Sequence, residues 1–197
     1  MANKVLNQQM DGTPKQICFA DHAGDFSPTA ANDLRISTDG SNETDAELEL
    51  LNVADGAARQ SDQVDLGEHR APSYACMAAI EMHVAAATDG DIIEFYWAPS
   101  MSATAATANP GGVSGSDSAY SGYSSDLDTA VKQLQYIGCM AMTDDAVDSL
   151  QIGFVGVFSP TDRYGTLVVK NECGQTICDT DDIETHVVLN PIVPEVQ

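Results

Sequence analysis

Hydrophobic and polar residues alternate with a period of two over much of the chain. In residues 74–84, YACMAAIEMHV, one face of an extended segment would carry Tyr74, Cys76, Ala78, Ile80, Met82 and Val84. This alternation is typical of a β-strand with one face in the protein core. The segment IIEFYW, residues 92–97, also favours a strand, because β-branched and aromatic residues fit a pleated sheet, and its aromatic residues occupy both faces.

Other apolar segments predict further short strands, at residues 15–20, 33–38, 47–53, 62–67, 135–142, 150–158, 164–171 and 185–193. The sequences between strands, such as DGSN, TDGD and SPTDR, are rich in turn-forming residues. Pro191 either ends the last strand or lies in a continuation of it along a sheet edge. Frequent short strands without alternating helices are typical of a β-sandwich or a small barrel. We therefore predict an all-β fold, a β-sandwich of the jelly-roll type.

One short helix is predicted near residues 125–134. Ser125 is a suitable N-cap, and Asp126 and Asp128 in the first turn favour the positive end of the helix dipole. Apolar residues follow at helical spacing and would form one stripe: Leu127, Val131 and Leu134.

The chain is predicted to form a single β-sandwich domain over residues 15–190. Residues 1–14 are polar and turn-rich, which favours an N-terminal arm. Residues 191–197 contain two prolines, which favour an extended C-terminal tail.

A segment rich in glycine and serine, ANPGGVSGSDSAYSGYSS at residues 108–125, precedes the predicted helix. It lacks the lysine of a phosphate-binding P-loop, and the aspartate that follows Gly115 and Ser116 would repel phosphate. Its GVSGS sequence also lacks the GxSxG spacing of a nucleophile elbow. Long ordered loops are usually functional, so we predict a contact loop that binds a neighbouring protein, with Tyr120 and Tyr123 as anchors.

The charge balance narrows the choice of partners. The chain has 30 Asp and Glu residues against 8 Lys and Arg residues, a net charge of −22. Such a surface repels nucleic-acid phosphates and anionic lipids, so we expect no direct nucleic-acid or membrane partner. The simplest interpretation is a solvated acidic surface, and a basic partner or divalent cations are the alternatives. We also expect no transmembrane span, because the longest apolar runs are short and broken by polar residues. We expect no secretory signal, because the first twenty residues lack an apolar segment.

The cysteines and acidic turns give no recognisable metal motif. The chain has 5 cysteines and 4 histidines, and the histidines lie far apart in sequence. Cys173 and Cys178 flank the turn GQTI and would be placed to pair across a hairpin in an oxidising environment. Residues 39–47 and 179–184 are acidic but lack the glycine and glutamate of an EF-hand loop, which leaves an irregular calcium site between loops as an alternative. We predict no metal site and no cofactor.

The strongest catalytic candidate is Glu94, because it lies among aromatic residues that would bury it in part and raise its pKa. Its neighbours Phe95, Tyr96 and Trp97 would suit a sugar-binding platform, but aromatic residues in a strand more often belong to a core or an interface. No base, nucleophile and orienting group share a recognisable spacing, so we assign no catalytic residue and predict that the chain is not an enzyme. The scarce arginines Arg59, Arg70 and Arg163 are expected to be paired and to fix loops.

Four segments resemble a known family: EFYWAPS (94–100), NPGGVSGSDSAYSGYSSDLDTAVKQLQYIG (109–138), GVFSPTDRYGTLVVKNE (156–172) and HVVLNPIVPEVQ (186–197). Together they are similar to small virion structural proteins of tailed bacteriophages. The resemblance covers most of the chain and contains no catalytic signature. It implies a component of a virus particle and leaves its place open between head and tail.

Residues and resemblance together favour a capsid decoration or cement protein that bridges capsomers on the outside of a phage head. Its partners would be the major capsid protein or other virion proteins, and we expect a homotrimer or a higher homo-oligomer. It would occupy the head surface of the virion, and the host cytoplasm during assembly. The candidate contact residues are Phe95, Trp97, Pro110, Tyr120, Tyr123 and Tyr164.

Two alternatives remain open. The first is a tail, neck or adaptor subunit, for which an acidic ring lumen would let DNA slide. The second is a host-recognition protein that binds or hydrolyses glycans with Glu94, Tyr96 and Trp97.

Overall fold

A computed structural model of the chain describes residues 14–36, 43–68, 70–83, 85–123, 126–144 and 149–193. These residues contain eleven strands and one short α-helix. The strands are β1 (Gln16–Ala20), β2 (Glu43–Glu47), β3 (Ala58–Gln60), β4 (Val64–Asp65), β5 (Ser73–Met82), β6 (Ile92–Ser100), β7 (Ser118–Tyr120), β8 (Gln135–Ala141), β9 (Ser149–Phe158), β10 (Tyr164–Glu172) and β11 (His186–Ile192). The helix α1 spans Leu127–Ala130. No helix in these ranges is long and apolar enough to cross a membrane.

The strands form two sheets with jelly-roll topology. The first sheet has the order β2-β1-β11-β5-β9, and the second has the order β7-β3-β10-β6-β8, with β4 paired to β10. Four antiparallel pairs, β1–β11, β3–β10, β5–β9 and β6–β8, lie alternately in the first and the second sheet. This is the pairing of one long antiparallel hairpin wrapped around a core, which is the jelly-roll arrangement. The predicted all-β sandwich of the jelly-roll type is confirmed.

The core lies between the inner faces of the two sheets and is centred on Trp97. Its indole is fully buried, with its centroid 5.5 Å from that of Phe158, which in turn lies 6.2 Å from the ring of Tyr74. A glycine on the neighbouring strand makes room for it, because a Cβ on Gly165 would lie 2.2 Å from the indole ring. Trp97 and Gly165 therefore fit each other in volume.

The glycine-rich segment covers the outer face of the second sheet. It forms a 3-10 turn at Pro110–Gly112 and the edge strand β7, and it continues into α1 and a second 3-10 turn at Val131–Gln133. Tyr120 is buried and donates a 2.6 Å hydrogen bond from its hydroxyl to the Gly111 carbonyl. The predicted contact loop is thus mostly a packed cover for the sheet, because its apolar side chains face inward.

The predicted helix and its apolar stripe are confirmed, but the helix starts later than expected. Val131 and Leu134 are buried and Leu127 packs against the same cluster, which includes Tyr96 and Val168. The N-cap is Asp126, whose side chain accepts a 3.1 Å hydrogen bond from the Thr129 amide. Ser125, the predicted N-cap, lies outside the described residues.

The first sheet is covered on its outer face only in part. Phe26 and Leu34, from the segment between β1 and β2, pack over Cys18, Ala20 and Val188. Among the described residues, the outer face of β9 has no such cover, which leaves Ile152, Phe154 and Val157 in contact with solvent.

Two predicted strands are wrong. Residues 33–36 form no ladder, because their amides bond to side chains: Leu34 to His186 Nε2 and Ile36 to Gln16 Oε1. Residues 48–53 alternate in burial as a strand would, but the Leu50 amide bonds to Asp182 Oδ2 at 3.1 Å, and the turn at 51–52 interrupts the segment. Residues 37 and 38 of the first segment lie outside the described residues.

The last strand continues through Pro191, as one of the two alternatives predicted. Pairing of β11 with β5 extends to Ile192, whereas its pairing with β1 stops at Leu189. Pro191 therefore lies where β11 is locally an edge, and its missing N–H breaks no ladder bond to β1. The sheet therefore reaches two residues into the predicted C-terminal tail. Of the predicted N-terminal arm, residues 1–14, the first thirteen lie outside the described residues.

Replacing Gly165 with alanine is expected to destabilise the protein by about 1–3 kcal/mol, because a new methyl group would clash with the rigid Trp97 ring. Gly24→Ala is the matched control, since the added Cβ would meet only the Asp21 side chain, which can rotate away. Urea unfolding of both variants measures the effect. Equal stability of the two variants would contradict this account of the core.

Candidate functional site

The outer face of β9 carries an exposed apolar patch. We call Ile152, Phe154, Val157 and Ile192 the β9 patch; Phe154 is its most exposed member, at 60%. A β-bulge in β9, opposite Cys76 and Met77 of β5, leaves Val155 without a ladder partner, so that Phe154 and Val157, three residues apart, both face outward. The sequence QIGFVGVF has apolar residues at both parities, and this signal of two apolar faces was missed.

Only one of the six predicted contact residues is largely exposed. Phe95 and Trp97 are wholly buried in the core, so neither presents a surface to a partner, which corrects their assignment. Tyr120 is also buried, and it holds the Gly111 turn. Pro110 and Tyr164 are half-buried, and Tyr164 stacks under the Arg163 guanidinium at 5.2 Å. Tyr123 is 54% exposed and remains available for contact.

A groove of about 610 Å³ lies between α1 and the outer face of the second sheet. Its lining residues are Glu94, Tyr96, Asp128, Val131, Lys132, Leu134, Tyr136 and Lys170. Tyr96 donates a 2.8 Å hydrogen bond to Glu94, and burial together with that carboxylate raises the pKa of the tyrosine. Lys170 contacts the Asp128 carboxylate at 2.7 Å. The structure thus brings Glu94 and Tyr96 together but turns Trp97 to the opposite side of the sheet.

The acidic turn at residues 179–184 supplies a carboxylate to each of two clusters. One cluster contains Asp182 with Asp21 and Asp25, and the other contains Asp181 with Glu81 and His83. The other acidic segment considered as a calcium site spans residues 39–47. Its residues 43–47 form β2, and its residues 39–42 lie outside the described residues.

Asp182 is almost wholly buried, and one of its oxygens accepts a hydrogen bond from the Leu50 amide. Burial, followed by the charge of Asp21, raises the pKa of Asp182 to about 7. The carboxyl group therefore holds its proton at pH values where an exposed aspartate is ionised.

All five cysteines, each within the described residues, are free thiols. Cys178 lies 3.1 Å from Thr185 Oγ1, and the Cys173 thiol contacts the Gln175 carbonyl at 3.4 Å. The pairing suggested by the turn between them is not formed. Burial raises the pKa of the Cys178 thiol, which keeps it protonated and unreactive.

The three arginines act as predicted. Arg59 is bound between Asp117 and Glu49, which ties the glycine-rich segment to the loop after β2. Arg163 forms a bidentate pair with Asp65, with bonds of 2.6 and 2.7 Å. Arg70 donates to the Thr161 carbonyl at 2.9 Å.

Comparison of the chain with protein-family models, with curated proteins and with solved structures finds no match. The resemblance to phage virion proteins and the function it implies stay predictions.

Asp182→Asn is expected to change how stability depends on pH. At pH values between its usual pKa of 3.8 and about 7, Asp182 is protonated in the folded protein and ionised in the unfolded chain. The contribution of this residue to the free energy of unfolding therefore falls as pH rises. The asparagine variant should therefore gain about 2–3 kcal/mol relative to the wild type between pH 5 and pH 8.

Guanidinium unfolding at the two pH values measures this gain. Asp89→Asn, in an exposed turn, is the control and should differ from the wild type by the same amount at both pH values. A pH-independent difference for Asp182→Asn would show that the carboxyl group is already ionised in the folded protein.

Proposed function

We propose that this chain is a non-enzymatic structural subunit of a phage particle, a capsid decoration protein that docks on the shell through the β9 patch. The β9 patch is the observation that carries the proposal. It places four apolar side chains, each at least 42% exposed, on one open sheet face of a chain with a net charge of −22. Several exposed apolar side chains on one sheet face, here on β9 and at the end of β11, are more typical of an interaction site than isolated ones.

The charge of the chain favours a different protein over a second copy as the occupant of the patch. Two copies meeting face to face would bring two chains of net charge −22 together, and their mutual repulsion would oppose the apolar contact. A shell protein with basic residues around an apolar depression would gain from burying the patch and from the net negative charge of this chain. The homotrimer stays a prediction, with its contacts elsewhere on the subunit.

The jelly roll supports this function by holding the patch rigid. Phe154 pairs with Met77 across β5 and β9, and β5 is paired on its other side with β11. A patch on a paired strand keeps its shape when it binds, so little ordering entropy is lost. By contrast, no feature of this surface specifically supports the alternative of a tail or neck subunit.

The glycan alternative rests on the groove. Tyr136 is half exposed there and stands edge-on to Tyr96, at 5.3 Å between ring centroids. The groove retains Glu94 and Tyr96 from the predicted platform but not Trp97, whose ring lies in the core. The charged groups Lys170, Asp128 and Glu172 are already paired with one another, which leaves fewer of them for a sugar.

Phe154→Asp should reduce binding to particles that lack the protein by at least about tenfold, because it puts a charge in the apolar contact. Purified variant is added to such particles, and occupancy is measured by sedimentation and gel densitometry. Met101→Asp is the matched control, since Met101 is a still more exposed apolar residue outside the patch.

A Tyr123→Ala variant tests the loop in the same assay. Loss of binding in Tyr123→Ala, with binding retained in Phe154→Asp, would move the contact to the glycine-rich segment and reject the patch. Binding to host glycans that is lost on Tyr136→Ala, with no binding to particles, would favour the recognition protein instead.

A further inference from the structure

One of the two clusters at the acidic turn combines an imidazole with carboxylates. His83 follows the end of β5, Glu81 lies within that strand, and Asp181 comes from the turn before β11. The His83 Nε2 atom is 3.5 Å from Asp181 Oδ1 and 4.0 Å from Glu81 Oε2. It also lies 2.9 Å from the Asp181 carbonyl oxygen.

These separations are close to those within a metal coordination shell. Ligand atoms about 2.0–2.2 Å from a Zn²⁺ ion, at tetrahedral angles, lie roughly 3.4 Å from one another. The three side-chain ligand atoms all lie within 4.8 Å of one another, so small rotations of Glu81 and Asp181 would bring them to bonding positions. The backbone carbonyl oxygen of Asp181, 2.9 Å from His83 Nε2, is a fourth possible ligand atom.

We propose that Glu81, His83 and Asp181 form a binding site for a divalent transition-metal ion, Zn²⁺ in the first instance. Imidazole nitrogen and carboxylate oxygen together are a ligand set for Zn²⁺, whereas Ca²⁺ takes oxygen ligands. The cluster of Asp21, Asp25 and Asp182 offers only carboxylates, and it carries no proposal. The site does not depend on the function of the β9 patch.

The surroundings hold one ligand in place and supply unbalanced negative charge. Glu81 Oε2 accepts hydrogen bonds from the Glu184 amide at 3.0 Å and from Thr185 Oγ1 at 3.3 Å. Such partners behind a ligand fix its orientation and are typical of metal sites. The Asp181 carboxylate in the cluster and the Glu184 side chain in the adjacent cavity wall add negative charge beside Glu81, which a cation would offset.

A cavity beside the cluster gives the ion access and room for a water ligand. It has a volume of about 430 Å³, and its walls are formed by Asn32, Glu81, His83, Ser149, Leu150 and Glu184. Two of the three proposed ligands therefore face an accessible space. An ion with three protein ligands keeps an open coordination position there. Bound at this point, it would tie the end of β5 to the turn that leads into β11.

The test is calorimetric titration of chelator-treated protein with ZnCl₂, with thermal unfolding as a second measurement. The wild type should bind one equivalent, and its unfolding temperature should rise. His83→Ala should weaken binding at least about tenfold. His22→Ala is the matched control, since His22 is another partly buried histidine beside a carboxylate, Asp45, at 3.8 Å, and it should bind like the wild type.

Two further variants keep the test decisive. Asp181→Asn changes a ligand in a surface turn with less risk to folding, and it should also weaken binding. Cys139→Ser should leave binding intact, because the half-buried Cys139 thiol is not part of the site. The proposal is overturned if the wild type binds no Zn²⁺, if His83→Ala and Asp181→Asn both bind it as tightly as the wild type, or if binding is lost instead with Cys139→Ser.

Discussion

Packing of the Trp97 indole between the two sheets is the contact on which the rest of the structure depends. The ring lies against Phe158 of the first sheet and fills the space left by Gly165 on the neighbouring strand of the second. Because side chains alternate across a strand, burying Trp97 and Phe95 inward turns Glu94 and Tyr96 outward. One interior contact therefore decides which residues line the groove and which are unavailable to any partner.

The segments that cover the outer faces of the two sheets then determine which surface is exposed and open to a partner. The segment 110–134 covers much of the second sheet, and residues 26 and 34 cover the β1 side of the first. Among the described residues, the outer face that remains open belongs to β9, and there the bulge opposite Cys76 and Met77 brings Phe154 and Val157 to the same side. In a two-layer fold, a long edge strand with apolar side chains on its outer face is an aggregation risk unless a partner covers it. This is the physical reason for placing an interface there.

The sequence predicts the parts of this structure in which pattern and hydrogen bonding agree. Strands β5, β6, β9 and β10 have long apolar runs and form as expected, and the jelly-roll class follows from their number and spacing. Residues 48–53 show the limit, since they alternate in burial while the Leu50 amide bonds to the distant Asp182 carboxylate instead of a neighbouring strand. Likewise, because IIEFYW has aromatic residues on both faces, the sequence alone does not show which of their rings lie in the core. The Glu81 and His83 pair is local, but Asp181 is 98 residues beyond His83 and joins it only through the fold.

The large excess of acid shapes what the interior and the surface can do. The arginines Arg59 and Arg163 are engaged with acids within the subunit, so neither is a free cation for an acidic ligand. Where acids must be buried, at Asp182 and Glu81, burial raises their pKa, and the adjacent turn residues Asp181 and Asp182 are directed to different clusters. Protonation of Asp182 can reduce the charge repulsion within the all-carboxylate cluster. The cluster with His83 instead has the ligand types that the proposed metal ion requires. A chain with so many acids would gain most from a contact that is apolar at its centre and basic on the partner's side, and the proposed docking on the β9 patch has such an apolar centre.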